Sequence, residues 1–129
     1  MKRGLLLFAH GARDTRWAEP FEAVAARIRG SAPSMPVALG FLELMKPTFD
    51  DAAEHLIDAG CTAVHVVPLF LGAGGHVRQD LPALIAQLEH RHPEVRLQLH
   101  PAIGEADAVI EAMARAALLL SGTTSASAD

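Results

Sequence analysis

At 129 residues, with 50% hydrophobic and 20% charged residues, the chain has the composition of one soluble globular domain built around a single core. A formal net charge of −4, with no basic run interleaved with aromatics, argues against nucleic acid as a partner. No apolar stretch is long enough to cross a bilayer, and a single cysteine, Cys61, excludes an internal disulfide, which suits a cytoplasmic protein.

Apolar runs alternate with helical periodicity four times along the chain. The first strand spans 4–9; the short run after Lys2-Arg3 is too brief for a secretory leader and leads straight into His10-Gly11. A helix over 16–30 turns Trp17, Phe21, Val24, Ala25 and Ile28 to one face, with Pro20 blurring its start and Gly30-Ser31-Ala32-Pro33 ending it. The second strand is 36–42. The second helix opens at Pro47, buries Phe49, Ala52, Ala53, Leu56 and Ile57, and stops at Gly60. The third strand is 62–67, with Cys61 at its start as a buried, inert thiol. The third helix follows Asp80 as N-cap, with Leu81, Leu84, Ile85 and Leu88 inward. The fourth strand is 95–99, and a fourth helix over 105–120 turns Val109, Ile110, Met113, Ala117 and Leu118 inward. Residues 1–120 thus form one α/β domain, and the Ser/Thr/Ala-rich stretch 121–129 reads as a disordered tail.

Four such units predict a parallel sheet with helices on both faces. The first strand is apolar throughout and the third mostly so, and both belong in the centre. The fourth alternates, and the second contains Pro36 and Gly40, so both suit edges. Right-handed crossovers then favour the order 2-1-3-4, with the switch point between strands one and three.

Ligands of open α/β sheets bind at such a switch point, at the carboxyl ends of the strands. His10 follows the first strand, and His76 follows the third after the glycine-bearing stretch Gly72-Ala73-Gly74-Gly75. Glu43 ends the second strand. Imidazole binds metals and accepts protons near neutral pH; two imidazoles and a carboxylate suit Co²⁺, Ni²⁺ or Fe²⁺, and lack the thiolates of a structural zinc cage. A cation follows each group: Arg13, Lys46 and Arg78. Together with loop amides of 72–75 these favour an anionic ligand, a polycarboxylate or phosphate. Pro68-Leu69-Phe70-Leu71 offers an apolar wall for a flat ligand, a subunit contact, or simple burial under a helix. Structural alternatives stand beside the other assignments too: a backbone-bonded strand-end histidine, and solvated carboxylate and cations. An anionic ligand with an apolar face and a metal-accepting centre describes a tetrapyrrole.

The remaining histidines fit structural roles better. His55 lies on a helix and His65 within the third strand. His90 and His92 flank Arg91 where positive charge suits a helix C-terminus, and His100 ends the fourth strand at the same rim but off-centre. Nucleotide loops fail, since there is no Gly-x-Gly-x-x-Gly after the first strand and no Gly-Lys-Ser/Thr. A phosphoacceptor domain needs acidic residues where His10 and Pro68 stand, and a histidine phosphatase needs arginine where Ala9 stands.

At His10-Gly11-Ala12-Arg13, Phe41-Leu42-Glu43 and Pro68 through His76, the chain resembles the small sirohydrochlorin chelatases of the CbiX/SirB group, over nearly all of 4–120. The stretch before His76 is the most specific part. The resemblance implies a class II chelatase, a lyase that inserts a divalent metal into sirohydrochlorin without ATP or an organic cofactor, for cobalamin- or sirohaem-type pathways. Cobalt is expected first, with iron or nickel as alternatives. It implies that His10 and His76 bind the metal, that His10 also takes a pyrrole proton, and that Glu43 and the loop Phe70, Leu71, Gly72, Ala73, Gly74 and Gly75 face the macrocycle. Many relatives carry serine where this chain has Ala12, so no hydroxyl role carries over. Larger members contain two such halves; a chain with one is expected to pair as a homodimer. A metal or tetrapyrrole carrier using the same rim is the competing reading.

Overall fold

A computed structural model describes residues 1–72 and 74–122, with the backbone alone for 75–78. Its order is β1 (Arg3–Ala9), a 3₁₀ turn (Thr15–Ala18), α1 (Glu19–Ser31), β2 (Val37–Phe41), α2 (Phe49–Asp58), β3 (Ala63–Pro68), α3 (Gly75–Arg91), β4 (Arg96–Leu99), a second 3₁₀ turn (Ile103–Glu105) and α4 (Asp107–Leu120). The four strands form one parallel sheet in the order β2-β1-β3-β4, as the apolar pattern requires.

Strand alternation divides the core between the two faces. Leu6, Phe8, Val64, Val66 and Leu97 meet Ala52, Ala53 and Leu56 of α2 and Leu81, Ile85 and Leu88 of α3. Leu7, Val37 and Val67 meet Ala25 and Ile28 of α1 on the other face. Cys61 is buried, and burial pushes its thiol above the usual range.

The helix boundaries differ from the sequence reading for local reasons. The first helix is preceded by a 3₁₀ turn capped by Asp14, whose side chain accepts from the Arg16 N–H. Pro20 sits in the first turn of α1, where its missing N–H costs nothing, and Val24 faces solvent. The second helix starts at Phe49, not Pro47, because Thr48 and Asp51 close a capping box. Bonds from the Thr48 backbone and hydroxyl hold the Asp51 carboxyl below its usual range; that contribution is present at neutral pH and fades as pH falls through the lowered value. The third helix begins five residues before Asp80, so His76 lies in its first turn and Asp80 on its exposed side.

The largest departure is α4. None of its residues is buried, and Ile110, Met113 and Leu118, expected inward, are 52%, 47% and 40% exposed. Right-handed crossovers send α2 and α3 to one face and α1 alone to the other. On that face α1 packs as far across as Val67 of β3, while His65 of β3 is half-buried and Gln98 of β4 is exposed. Residues 123–129 of the expected tail lie outside the described residues.

Leu56 is fully buried beneath the sheet, so Leu56→Ala should cost about 2–5 kcal/mol. Urea unfolding followed by circular dichroism measures it; a loss below 1 kcal/mol would contradict this core.

Candidate active site

The β1–β2 pairing continues past both strands. The Leu42 N–H donates to the Ala9 carbonyl at 2.9 Å, and the Glu43 N–H to the His10 carbonyl at 3.0 Å. His10 and Glu43 therefore stand side by side at the carboxyl edge, both exposed. Gly11 makes the approach possible: its φ is 98°, and a Cβ there would overlap the Glu43 carbonyl oxygen.

A column of rings supports His10 from below. Its imidazole lies 4.2 Å from the Phe70 ring, at 32° between planes. Phe70 meets Phe8 at 5.9 Å, and Phe8 meets Phe49 edge-on at 5.1 Å. Phe70 is thus buried under His10, not open as a wall, because the core beneath the rim needs its ring. Among the described residues, the exposed large apolar groups at this edge are Leu71 and, unforeseen from sequence, Leu44, which are 70% and 61% exposed. Leu44 also holds a φ of 64°, rare for leucine. A leucine beside Glu43 carried no sequence signal, since single exposed leucines are ordinary.

The second 3₁₀ turn, also missed, fixes the β3 loop. The Gly104 N–H donates to the Phe70 carbonyl at 2.9 Å, and a Cβ at Gly104 would overlap the Leu71 backbone. Gly104, between the fourth strand and the fourth helix, was the available signal.

Arg13 and Lys46 are exposed and join no ion pair among the described residues, whereas Arg16, Arg91 and Arg115 are each paired. Gly72 and Gly74 are exposed; Ala73 lies outside the described residues, as do the side chains of His76, Val77 and Arg78. For His76 and Arg78 the structure gives their place in the first turn of α3. Gly74 precedes that helix and supplies no side-chain cap to its first-turn amides. His100 does not join the rim: its ring turns back along the sheet to His65. His92 is bound to Glu54 at 2.8 Å. A separate cavity of 760 Å³ runs along β2 between α1 and α2, lined by Glu22, Arg29, Lys46 and His55 among others; of the rim groups it includes only Lys46.

The fold and this edge define a class, a single chelatase-type α/β half whose loops converge at the strand ends. The sequence model of the CbiX family matches residues 4–118, and the chain belongs to that family. It is 33% identical over 116 residues to the sirohydrochlorin ferrochelatase of Bacillus subtilis (strain 168), covering 88% of this chain and 43% of that one. It is 31% identical over 124 residues to the sirohydrochlorin cobaltochelatase of Sulfolobus acidocaldarius, covering 94% and 97%. The crystal structure of a putative cobalamin biosynthesis CbiX protein from Marinobacter aquaeolei VT8 superposes with a TM-score of 0.82 at 33% identity, covering 93% and 98%. The chain therefore spans less than half of the Bacillus relative and nearly all of the other two.

Gly11→Ala should destabilise the fold by about 1–3 kcal/mol from conformation alone, and should displace Glu43 from His10. Thermal melting and the His10 ring resonances check this; an unchanged melt with unshifted resonances would contradict the contact.

Proposed function

We propose that this chain is a sirohydrochlorin chelatase that inserts a divalent metal, cobalt first and iron or nickel as alternatives, into the macrocycle without ATP. The observation that carries the reading is the His10–Glu43 pair held at the carboxyl edge by the extended β1–β2 ladder. Metal insertion must strip water from the ion and remove two pyrrole protons. An exposed imidazole propped on Phe70 is available to accept a proton, and the neighbouring carboxylate can pass it on or balance charge. His10 and His76 hold the ion weakly enough to release it. Arg13, Lys46, Arg78 and the first-turn amides of α3, which Gly74 does not cap, receive the substrate's carboxylates. Leu44, Leu71 and the glycine loop Gly72, Ala73, Gly74 and Gly75 flank the ring face, and Phe70 acts through His10.

Cobalt comes first because the relative matched along nearly its whole length is a cobaltochelatase, whereas the ferrochelatase is about twice as long. The same lengths support a homodimer, a second copy standing where longer members carry a second half. The apolar residues that α4 exposes, Ile110, Met113, Leu118 and Leu119, are the surface available for it. We place this activity in the cytoplasm; no described helix is long and apolar enough to cross a membrane. A pure carrier would bind sirohydrochlorin and metal without turnover.

Anaerobic absorbance of sirohydrochlorin with Co²⁺, Fe²⁺ or Ni²⁺ should show acceleration over the spontaneous rate. His10→Ala and His76→Ala should each lower it by about 10²-fold or more while leaving the fold intact. A spectral shift without acceleration would replace the enzyme by the carrier. Light scattering should give a dimer mass for the parent chain and a monomer mass for Ile110→Glu/Met113→Glu; a monomeric parent chain that turns over would refute pairing.

A further inference from the structure

Pairing with β1 uses every second residue of β2. The Leu5 N–H donates to the Pro36 carbonyl at 3.0 Å, and the Leu42 N–H to the Ala9 carbonyl at 2.9 Å. Even-numbered residues of β2 therefore face β1, and Val37, Leu39 and Phe41 turn their N–H and C=O groups to the outer edge. That edge is closed at both ends. Arg29 of α1 donates to the Val37 carbonyl at 3.0 Å. The Phe41 N–H donates to the Pro47 carbonyl at 2.9 Å, and Thr48 pairs with Phe41 in parallel, as the start of a fifth strand would. Between these ends, the outward N–H and C=O of Leu39 have no partner among the described residues.

The 760 Å³ cavity lies along this open position, with α1 on one side and α2 on the other, and its volume is that of a small-ligand site. Ala25 of α1 and Ala52 of α2 line it beside the strand, so its walls are short there. The open length is short as well. Val37 and Phe41 stand about 13 Å apart along the strand, which excludes a long β-segment and admits an extended tripeptide of about 10 Å. Charge fixes the direction. Arg29 stands at the amino end of β2 and keeps guanidinium N–H groups beyond the one given to Val37. Glu22 lies two turns earlier on α1, about 10 Å toward the carboxyl end, where Asp51 also lines the cavity and balances Lys46. Glu22 and Arg29 are exposed and join no ion pair among the described residues. Their separation matches the span between the termini of a tripeptide. With its carboxylate at Arg29 and its ammonium group at Glu22, such a peptide runs antiparallel to β2, the direction in which one residue exchanges both backbone bonds with the residue opposite.

We propose that the outer edge of β2 is a second binding site, separate from the His10 rim, that takes a short zwitterionic peptide of about three residues. The central residue of the peptide donates its N–H to the Leu39 carbonyl and accepts from the Leu39 N–H. Its carboxylate meets Arg29, and its ammonium group meets Glu22 and Asp51. The site holds whether or not the rim catalyses metal insertion.

The test is a titration of the full chain with trialanine, followed in ¹⁵N–¹H spectra of the backbone amides. The Leu39 amide should shift and saturate, while those of His10 and Glu43 stay in place. Glu22→Gln and Arg29→Gln should each weaken binding by about threefold, and N-acetyl-trialanine amide, which lacks both charged termini, should bind about tenfold more weakly than trialanine. The inference is overturned if the Leu39 amide does not respond, whether the peptide binds elsewhere or not at all, or if the blocked peptide and both Gln variants give unweakened binding. The free and blocked peptides on the unsubstituted chain decide the matter even if a variant fails to fold. Failure of the chelatase reading appears separately, as absent turnover in the unsubstituted chain.

Discussion

The site depends on one constraint, the continuation of the β1–β2 hydrogen-bond ladder beyond the last residues of both strands. Two further bonds, Leu42 to Ala9 and Glu43 to His10, keep the chains parallel where they would otherwise splay into loops. Backbone pairing thus sets the spacing of imidazole and carboxylate, so neither side chain has to find the other. The close approach is open only to a residue without a Cβ at position 11. The glycine after His10 is therefore a packing requirement of the Glu43 carbonyl as much as a turn residue.

From this edge, rigidity passes downward through aromatic rings. His10 rests on Phe70, Phe70 on Phe8, and Phe8 on Phe49 of α2. An exposed group is held in place by its buried neighbours, which lets it face solvent without losing orientation. The β3 loop is held from its far side by Gly104, whose N–H satisfies the Phe70 carbonyl. The 3₁₀ turn after β4 therefore belongs to the support of the rim, though Gly104 lies 34 residues after Phe70 in sequence.

The two sheet faces are unequally covered. Crossover handedness gives one face two helices and the other only α1. This leaves α4 with an apolar surface unburied among the described residues, and leaves the β4 side of one face partly exposed. Exposed leucines on a helix of this kind are costly in an isolated monomer. The same asymmetry leaves His65 and His100 reachable from solvent instead of sealed in a core.

The sequence by itself determined the architecture. Continuous apolar runs marked β1 and β3 as central, alternation marked β4 as an edge, and crossover handedness then left one strand order. It also marked His10, Glu43 and the glycine loop as rim groups, because strand ends in such sheets are where ligands bind. Local periodicity carried that information, since side-chain burial in a strand or helix repeats every two or 3.6 residues. What periodicity cannot convey is which apolar surface finds a partner. The stripe of α4 reads like any inward face, and only the course of the chain after β4 leaves it outside. Phe70 reads as part of a wall, and only the packed column shows it as a prop. His65 and His100 stand 35 residues apart and look unrelated. Parallel pairing of β3 with β4 brings them within 2.9 Å, because strand register is a property of the folded sheet.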